Sequence, residues 1–122
     1  LQAQAAKLLG QRDLTIIKGG GGEFERHPGK NIILFGLRDG THIQEVAAPV
    51  LQATRRLHDV DQTIDLQALW QGSTDDPFAI ATITGTAALA LWTLKAAPDL
   101  QAAQDMADHL WATRHQQESL SA

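Results

Sequence analysis

The spacing of apolar positions predicts that the chain begins with a helix and continues into an extended strand. Apolar residues recur at helical spacing in residues 1–9, at Leu1, Ala5, Leu8 and Leu9. Gly10 follows as a C-cap, because glycine readily adopts the left-handed conformation that ends many helices. The β-branched run at residues 13–18 predicts a short buried strand.

Two further apolar runs predict a β-hairpin. Residues 32–37 and 42–46 are rich in strand-forming residues, and the sequence Arg-Asp-Gly-Thr separates them. Its central pair, Asp39-Gly40, is typical of a tight hairpin turn, so we expect the two runs to pair. The segment that follows, residues 47–61, is ambiguous, since Pro49 can open a short helix in it.

The remainder of the chain predicts helices. Residues 64–70 form a short apolar segment, for which Thr63 or Asp65 can serve as the N-cap and Gly72 as the stop. A much longer helix is expected over residues 78–95, because an acidic pair and a proline precede it at 75–77. This helix is apolar on nearly every face, which is typical of a buried central helix. Its small residues form a seam that lets a neighbour approach closely, at Ala81, Gly85 and Ala88.

The order of these elements predicts the fold class. Asp99 caps a final helix over residues 100–115, whose inward stripe consists of Leu100, Ala103, Ala107, Leu110 and Trp111. One helix, three strands and a set of helices predict a mixed-sheet α/β domain in which a β-hairpin is followed by packed helices. Because residue 1 is Leu and lies inside a predicted helix, we expect the chain to be a C-terminal fragment without its first strands.

Composition and charge narrow the classes of function. The chain has 122 residues, 43% of them hydrophobic, which is enough for one domain with a core. It contains no cysteine, so disulfide frameworks and thiol catalysis are excluded. No apolar run approaches a membrane span, and no signal-peptide pattern opens the chain, so we expect a cytoplasmic protein.

The net charge of −4 is unevenly distributed. The first 58 residues carry eight Lys and Arg against five Asp and Glu, and the remaining residues carry two against nine. The mildly basic first half is therefore the half suited to phosphate.

One segment of that basic half, KGGGGEFERHPGK at residues 18–30, combines groups suited to binding an anion. Its glycines open the backbone N–H groups to an approaching phosphate. The candidate residues for binding phosphate or nucleic acid are Lys18, Gly19, Gly20, Gly21, Gly22, Arg26, His27 and Lys30. Glu23 and Glu25 are candidate ligands for a Mg²⁺ ion that bridges pyrophosphate oxygens. The alternative interpretation is a mobile loop with solvated charges.

Other phosphate and metal motifs do not match the sequence. A dinucleotide-binding fingerprint needs a helix after its glycines, and here a hairpin is expected. A P-loop needs Ser or Thr after the lysine, and Asn31 follows Lys30. The five histidines are scattered, without the spacing of a zinc site.

The segment 16–30, the run IILFGLRDG at 32–40 and residues 65–114 together resemble the C-terminal part of glycosyltransferase family 3 proteins, which include anthranilate phosphoribosyltransferase. Order and spacing agree over most of the chain. The resemblance implies an α/β domain that continues upstream into further strands and a helical domain. It also implies phosphoribosyl transfer from phosphoribosyl pyrophosphate with Mg²⁺.

The chain departs from this family where the transferases carry an adjacent Asp-Glu pair that binds Mg²⁺. Here the pair falls on Glu23 and Phe24, so the second carboxylate is lost and Glu25 lies one residue late. In an extended segment Glu23 and Glu25 would share a face. The chain is also similar to diverged paralogues of the YbiB type, matching them at Lys18, Gly22 and Glu23. That resemblance implies binding of single-stranded nucleic acid without transferase activity.

The sequence therefore predicts a diverged member of this family that binds nucleic acid or phosphate and needs no resident cofactor. The partner is expected to be single-stranded nucleic acid or a phosphorylated small molecule. The alternative is an active phosphoribosyltransferase that uses phosphoribosyl pyrophosphate and Mg²⁺. We also expect a homo-oligomer, because missing upstream strands would leave an unpaired sheet edge and exposed apolar surface.

Overall fold

A computed structural model describes residues 2–18, 25–50 and 65–116 of the chain. Its helices and strands follow one another in the order α1 (Gln2–Leu8), β1 (Leu14–Ile16), β2 (Ile32–Arg38), β3 (Thr41–Ala47), α2 (Leu66–Gln71), α3 (Pro77–Thr93) and α4 (Leu100–Ala112). Helices and strands are mixed in one chain, and a hairpin is followed by helices. The predicted α/β class is therefore confirmed. Within these ranges, no helix is long and apolar enough to cross a membrane.

The three strands form an antiparallel sheet in the order β1-β2-β3. The hairpin between β2 and β3 turns at Asp39-Gly40, where both residues have positive φ angles of 53° and 78°. This is the geometry of the two-residue turn that the Asp-Gly pair predicts. β2 is the central strand, so both of its edges are hydrogen-bonded to neighbouring strands.

One face of the sheet packs against α3, and we call it the helix-facing side. Leu34 and Ala47 lie there in a core cluster with Ala88, Leu89 and Trp92, among others. Thr15 of β1 shares a hydrogen bond with the Thr93 hydroxyl at the end of α3. Arg38 stacks on the Trp92 ring at 4.3 Å and donates to the Trp92 carbonyl at 2.6 Å.

The opposite face is covered only in part, and we call it the open side. Because directly paired residues point to the same side of a sheet, its members are Leu14, Ile16, Ile33, Phe35, Leu37, His42, Gln44 and Val46. α1 lies against β1 and β2, and Leu37 is fully buried. Phe35, Ile33 and Val46 remain 43%, 47% and 60% exposed.

The helix ends follow the predicted caps. The side chains of Asp65, Asp76 and Asp99 accept hydrogen bonds from the first-turn N–H groups of α2, α3 and α4. Asp65 is one of the two N-caps expected for α2. Gly10 and Gly72 follow α1 and α2 with positive φ, as expected for C-caps.

Two predictions about buried faces are wrong in part. On α1, Leu8 and Leu9 are 88% and 82% exposed, whereas Ala3 is buried. A two-turn helix can have more than one apolar stripe, and here the stripe that contains Ala3 packs against the sheet. On α4, Ala103 and Ala107 are buried as expected, but Leu110 is 40% exposed.

α3 is buried over most of its surface, including Ala81, Gly85 and Ala88 of the predicted small-residue seam. One stripe of α3 is nevertheless exposed, at Ile83, Ala87 and Ala90. The prediction of burial on all sides is wrong for this stripe. Uniform apolarity does not say which side of a helix the rest of the chain covers.

An ion-pair cluster joins the end of α3 to the hairpin turn and to the residue before β1. Lys95, which has a φ of 61°, forms ion pairs with Asp13 (Nζ–Oδ1, 3.2 Å) and Asp39. The Asp13 carboxylate also accepts the Asp39 backbone N–H at 3.0 Å. That hydrogen bond and the Lys95 ammonium lower the pKa of Asp13.

This cluster predicts a pH dependence of stability. The pKa of Asp13 in the folded chain lies below its ordinary value of 3.8. The ionised Asp13 carboxylate therefore stabilises the folded chain fully above the ordinary pKa of 3.8. This contribution is lost as the pH falls through the lower pKa of the folded state. Thermal melts between about pH 6 and pH 3 should show a shallower loss for Asp13→Asn, which keeps the acceptor but removes the charge. The exposed Asp75→Asn serves as the control, and identical profiles for the wild type and Asp13→Asn would contradict the expectation.

Gly36 predicts a second stability effect, because the backbone of the neighbouring strand β1 leaves no space for a side chain at this position. A Cβ at Gly36 would lie 2.0 Å from the Leu14 carbonyl oxygen. We expect Gly36→Ala to lower the unfolding free energy by about 3 kcal/mol or more, measured by urea denaturation.

The matched control for Gly36 is Gly85→Ala on α3. Its new Cβ would meet side-chain atoms instead of backbone, Arg26 Cδ at 3.3 Å and Val50 Cγ2 at 3.4 Å. The helix propensity of alanine offsets that contact by about 1 kcal/mol, so the net change should be small. A Gly36→Ala protein as stable as the wild type would show that β1 does not pack as described.

Candidate functional site

The structure describes five of the residues that the sequence singled out. Lys18, Glu25 and Lys30 are exposed, His27 is half-buried and Arg26 is buried. Gly19, Gly20, Gly21, Gly22 and Glu23 lie outside the described residues. The roles predicted for them stay predictions.

Three of the five predicted residues lie together at one cavity. Lys18, His27 and Lys30 line a cavity of about 420 Å³, which we call the cationic cavity. Asn31, Ile32, Ile33 and Phe35 complete its lining. Lys18 lies two residues after β1 and Lys30 two residues before β2, so the antiparallel pairing of these strands brings the two ammonium groups to the same end of the sheet.

The cavity forms differently from a ligand site in a parallel α/β sheet, which lies beyond the carboxyl ends of the strands. In the described sheet every strand pairing is antiparallel, so the end of β1 lies beside the beginning of β2. The predicted residues meet because of this reversal of direction.

The segment that carries His27 and Lys30 is anchored at several points. The Gly29 backbone N–H donates to His27 Nδ1 at 3.1 Å, and the Val50 N–H donates to the Pro28 carbonyl at 2.7 Å. The His27 ring also meets the Phe78 ring edge to face, with centroids 5.5 Å apart. Because Nδ1 accepts a hydrogen bond, the proton of the neutral ring is assigned to Nε2.

Arg26 does not line the cationic cavity. Its side chain is 5% exposed and packs on Gly85 of α3, where a Cβ would lie 3.3 Å from the Arg26 Cδ. One guanidinium nitrogen donates to the Ala48 carbonyl, while Nε is buried without a hydrogen-bond partner. Burial lowers the pKa of Arg26. The sequence grouped Arg26 with the surface cations, whereas the structure turns its side chain towards α3.

The predicted metal ligands are not brought together in the described part of the chain. Glu25 is exposed, and its proposed partner Glu23 lies outside that part. Among the described residues, no three His, Asp or Glu side chains form a group that could hold a metal ion. Magnesium binding at Glu23 and Glu25 stays a prediction.

A second cavity lies between α1 and the open side, and sequence reasoning did not find it. Its volume is about 770 Å³, and we call it the α1 cavity. The lining consists of Gln2, Ala3, Gln4, Ile16, Phe35, Gly36, His42, Ile43 and Gln44. The polar alternation of His42 and Gln44 in β3 was the available signal, but only the packing of α1 makes it a cavity. Phe35 lines both cavities, so they are neighbours.

Among the described residues that line the two cavities, none is a carboxylate. This is notable in a chain with 14 Asp and Glu against ten Lys and Arg. The charged or titratable groups that do line the two cavities are Lys18, His27, Lys30 and His42. An anion in the cationic cavity would therefore contact two lysines and none of the carboxylates that the structure describes in the lining.

A separate cluster of aromatic and cationic groups joins α2 to α4. Arg114 donates to the carbonyls of Trp70 and Trp111, both at 2.7 Å, and its guanidinium lies 4.1 Å from the Trp111 ring centroid. The two indole rings meet edge to face at 5.7 Å. Because a cation here meets the C-terminal carbonyls of two helices, the contact stabilises their packing.

Comparisons of the chain with protein-family models, with curated proteins and with solved structures found no match.

The burial of Arg26 predicts an unequal effect of two substitutions. Arg26→Met retains most of the packing volume and removes a buried charge that has no carboxylate partner in the described residues. We therefore expect its unfolding free energy to stay within about 1 kcal/mol of the wild type or to rise. Arg26→Ala leaves a cavity and should lower the unfolding free energy by about 2–4 kcal/mol. Urea denaturation measures both. Equal destabilisation by the two variants would show that the charge itself stabilises the fold.

Proposed function

We propose that the chain binds the phosphate groups of single-stranded nucleic acid at the cationic cavity. The observation that carries the proposal is that Lys18, His27 and Lys30 line one cavity, in which none of the described lining residues is a carboxylate. A phosphorylated small molecule offers the same anionic groups and is the second source of this chemistry. The proposal agrees with the resemblance of this chain to the C-terminal part of diverged glycosyltransferase family 3 proteins.

The chemical groups present suit a polyanion. Two exposed ammonium groups can each neutralise a phosphate and release its counterions, which makes such binding weaken as salt rises. The Asn31 side chain adds amide N–H donors to the same lining. His27 adds an imidazole ring to the same lining.

Phosphoribosyl transfer would require a different arrangement. One carboxylate contributes less than two to holding the hard cation that carries pyrophosphate. In this sequence an aromatic residue, Phe24, stands where the resembling transferases have the second of them. This substitution favours binding over transfer as the proposed function.

Replacing one cation of the cavity tests the proposal. Lys30→Ala should weaken binding of a labelled oligothymidylate and reduce the slope of log K against log salt by about 0.7, measured by fluorescence anisotropy. Lys18→Ala should do the same.

Arg12→Ala is the matched control for this experiment. Arg12 is also exposed, but it donates to the Asp39 carbonyl at the hairpin turn, at the other end of β2 from Lys30. Its removal should leave the slope unchanged. A slope that Arg12→Ala reduces as much as Lys30→Ala would show that binding depends only on net charge.

Competition separates the two sources of phosphate. Inorganic phosphate or phosphoribosyl pyrophosphate that displaces the oligomer at micromolar concentration would identify a small-molecule site. Magnesium-dependent release of pyrophosphate from phosphoribosyl pyrophosphate would overturn the proposal in favour of a transferase. Salt-dependent binding of the oligomer without either result supports it.

A further inference from the structure

The open side of the sheet has a chemical character that the cationic cavity alone does not explain. None of its side chains is a carboxylate, whereas the helix-facing side carries Glu45. Its exposed members are apolar or aromatic in the centre, at Ile33, Phe35 and Val46. An aromatic ring exposed on a sheet face without carboxylates is suited to stacking against a flat ligand.

Phe35 connects this surface to the proposed phosphate site. Its side chain is 43% exposed and lines the cationic cavity and the α1 cavity. Its cross-strand partners are Ile16 of β1 and Gln44 of β3. A ligand resting on Phe35 therefore has cationic groups on one side and amides on the other.

The α1 cavity supplies hydrogen-bonding groups of a particular kind. Gln2 and Gln4 contribute from α1, and His42 and Gln44 contribute from β3. None of these four side chains hydrogen-bonds to another part of the chain that the structure describes. Amide groups both donate and accept, which matches the mixed donors and acceptors along the edge of a nucleobase. A fully ionised phosphate only accepts hydrogen bonds, so it cannot bond to the amide oxygens.

We infer that the α1 cavity is a nucleobase subsite, in which an unpaired base stacks on Phe35 and its edge meets the glutamine amides. The inference rests on the proposed function, because the phosphate of the same strand occupies the adjacent cationic cavity. The volume of about 770 Å³ lies in the range of cavities that hold small organic ligands. The two lysines of the cationic cavity and the amides of the α1 cavity, with no carboxylate among the described lining residues, make one anionic strand the occupant that fits both cavities.

The test compares two oligomers that differ only in their bases. A labelled oligothymidylate of about 12 nucleotides and an abasic oligomer of equal length present the same phosphates. The wild-type chain should bind the thymidylate more tightly, by about 5- to 100-fold. Phe35→Leu should remove this difference and leave affinity for the abasic oligomer unchanged, whereas Phe35→Tyr should retain it.

A matched control and a second variant sharpen the result. Trp70→Leu removes an aromatic ring of similar exposure, 41%, that lies in neither cavity lining, and it should not alter the difference between the oligomers. Gln44→Leu should change the relative affinities for oligothymidylate, oligocytidylate and oligoadenylate without changing abasic binding. Circular dichroism confirms that each variant is folded.

Three outcomes would overturn the inference. Equal affinity of the wild type for both oligomers would show that bases are not bound, while leaving the proposed phosphate binding intact. Loss of abasic binding in Phe35→Leu would show that Phe35 shapes the cationic cavity only. Self-association of the free chain that Phe35→Leu abolishes, detected by sedimentation, would identify a second copy as the occupant. If neither oligomer binds at about 50 mM salt, the proposed function itself fails.

Discussion

The packing of a three-stranded sheet against a single long helix determines which side chains of this chain remain available to a ligand. Side chains alternate along β2, so Leu34 and Arg38 face α3 while Ile33 and Phe35 face away from it. Burial of the first set fixes the second set on the other side, because a shift of one residue would exchange the two faces. The open side, with its apolar centre and cationic end, is thus a direct consequence of how the core forms.

Local features of this fold can be predicted from the sequence, because each depends on neighbouring residues. The Asp39-Gly40 turn needs positive φ at two positions, and this residue pair tolerates it. Asp76 and Asp99 cap their helices with hydrogen bonds that span two or three residues. These interactions are complete within one turn of chain, so the pattern that predicts them contains all their partners.

Features that depend on distant contacts were predicted less well. Arg26 belongs by sequence to a run of cationic residues, but a glycine 59 positions later, Gly85, leaves room for its side chain against α3. The α1 cavity likewise requires Gln2 and Gln44 to meet from opposite ends of the first half of the chain. The residue types of the cationic segment indicated a site there, but they did not separate the residue that is buried from the three that line a cavity.

The distribution of charge shows why overall acidity does not decide what this chain binds. Most of its carboxylates lie after residue 58, and those that the structure describes there cap helices or lie on their surfaces. At physiological salt, charges more than about 8 Å apart are largely screened from one another. An approaching phosphate therefore responds to Lys18 and Lys30 at the cavity more than to the net charge of −4. Since those cations adjoin an exposed aromatic ring, the same surface that attracts a phosphate offers an apolar contact to whatever the phosphate carries.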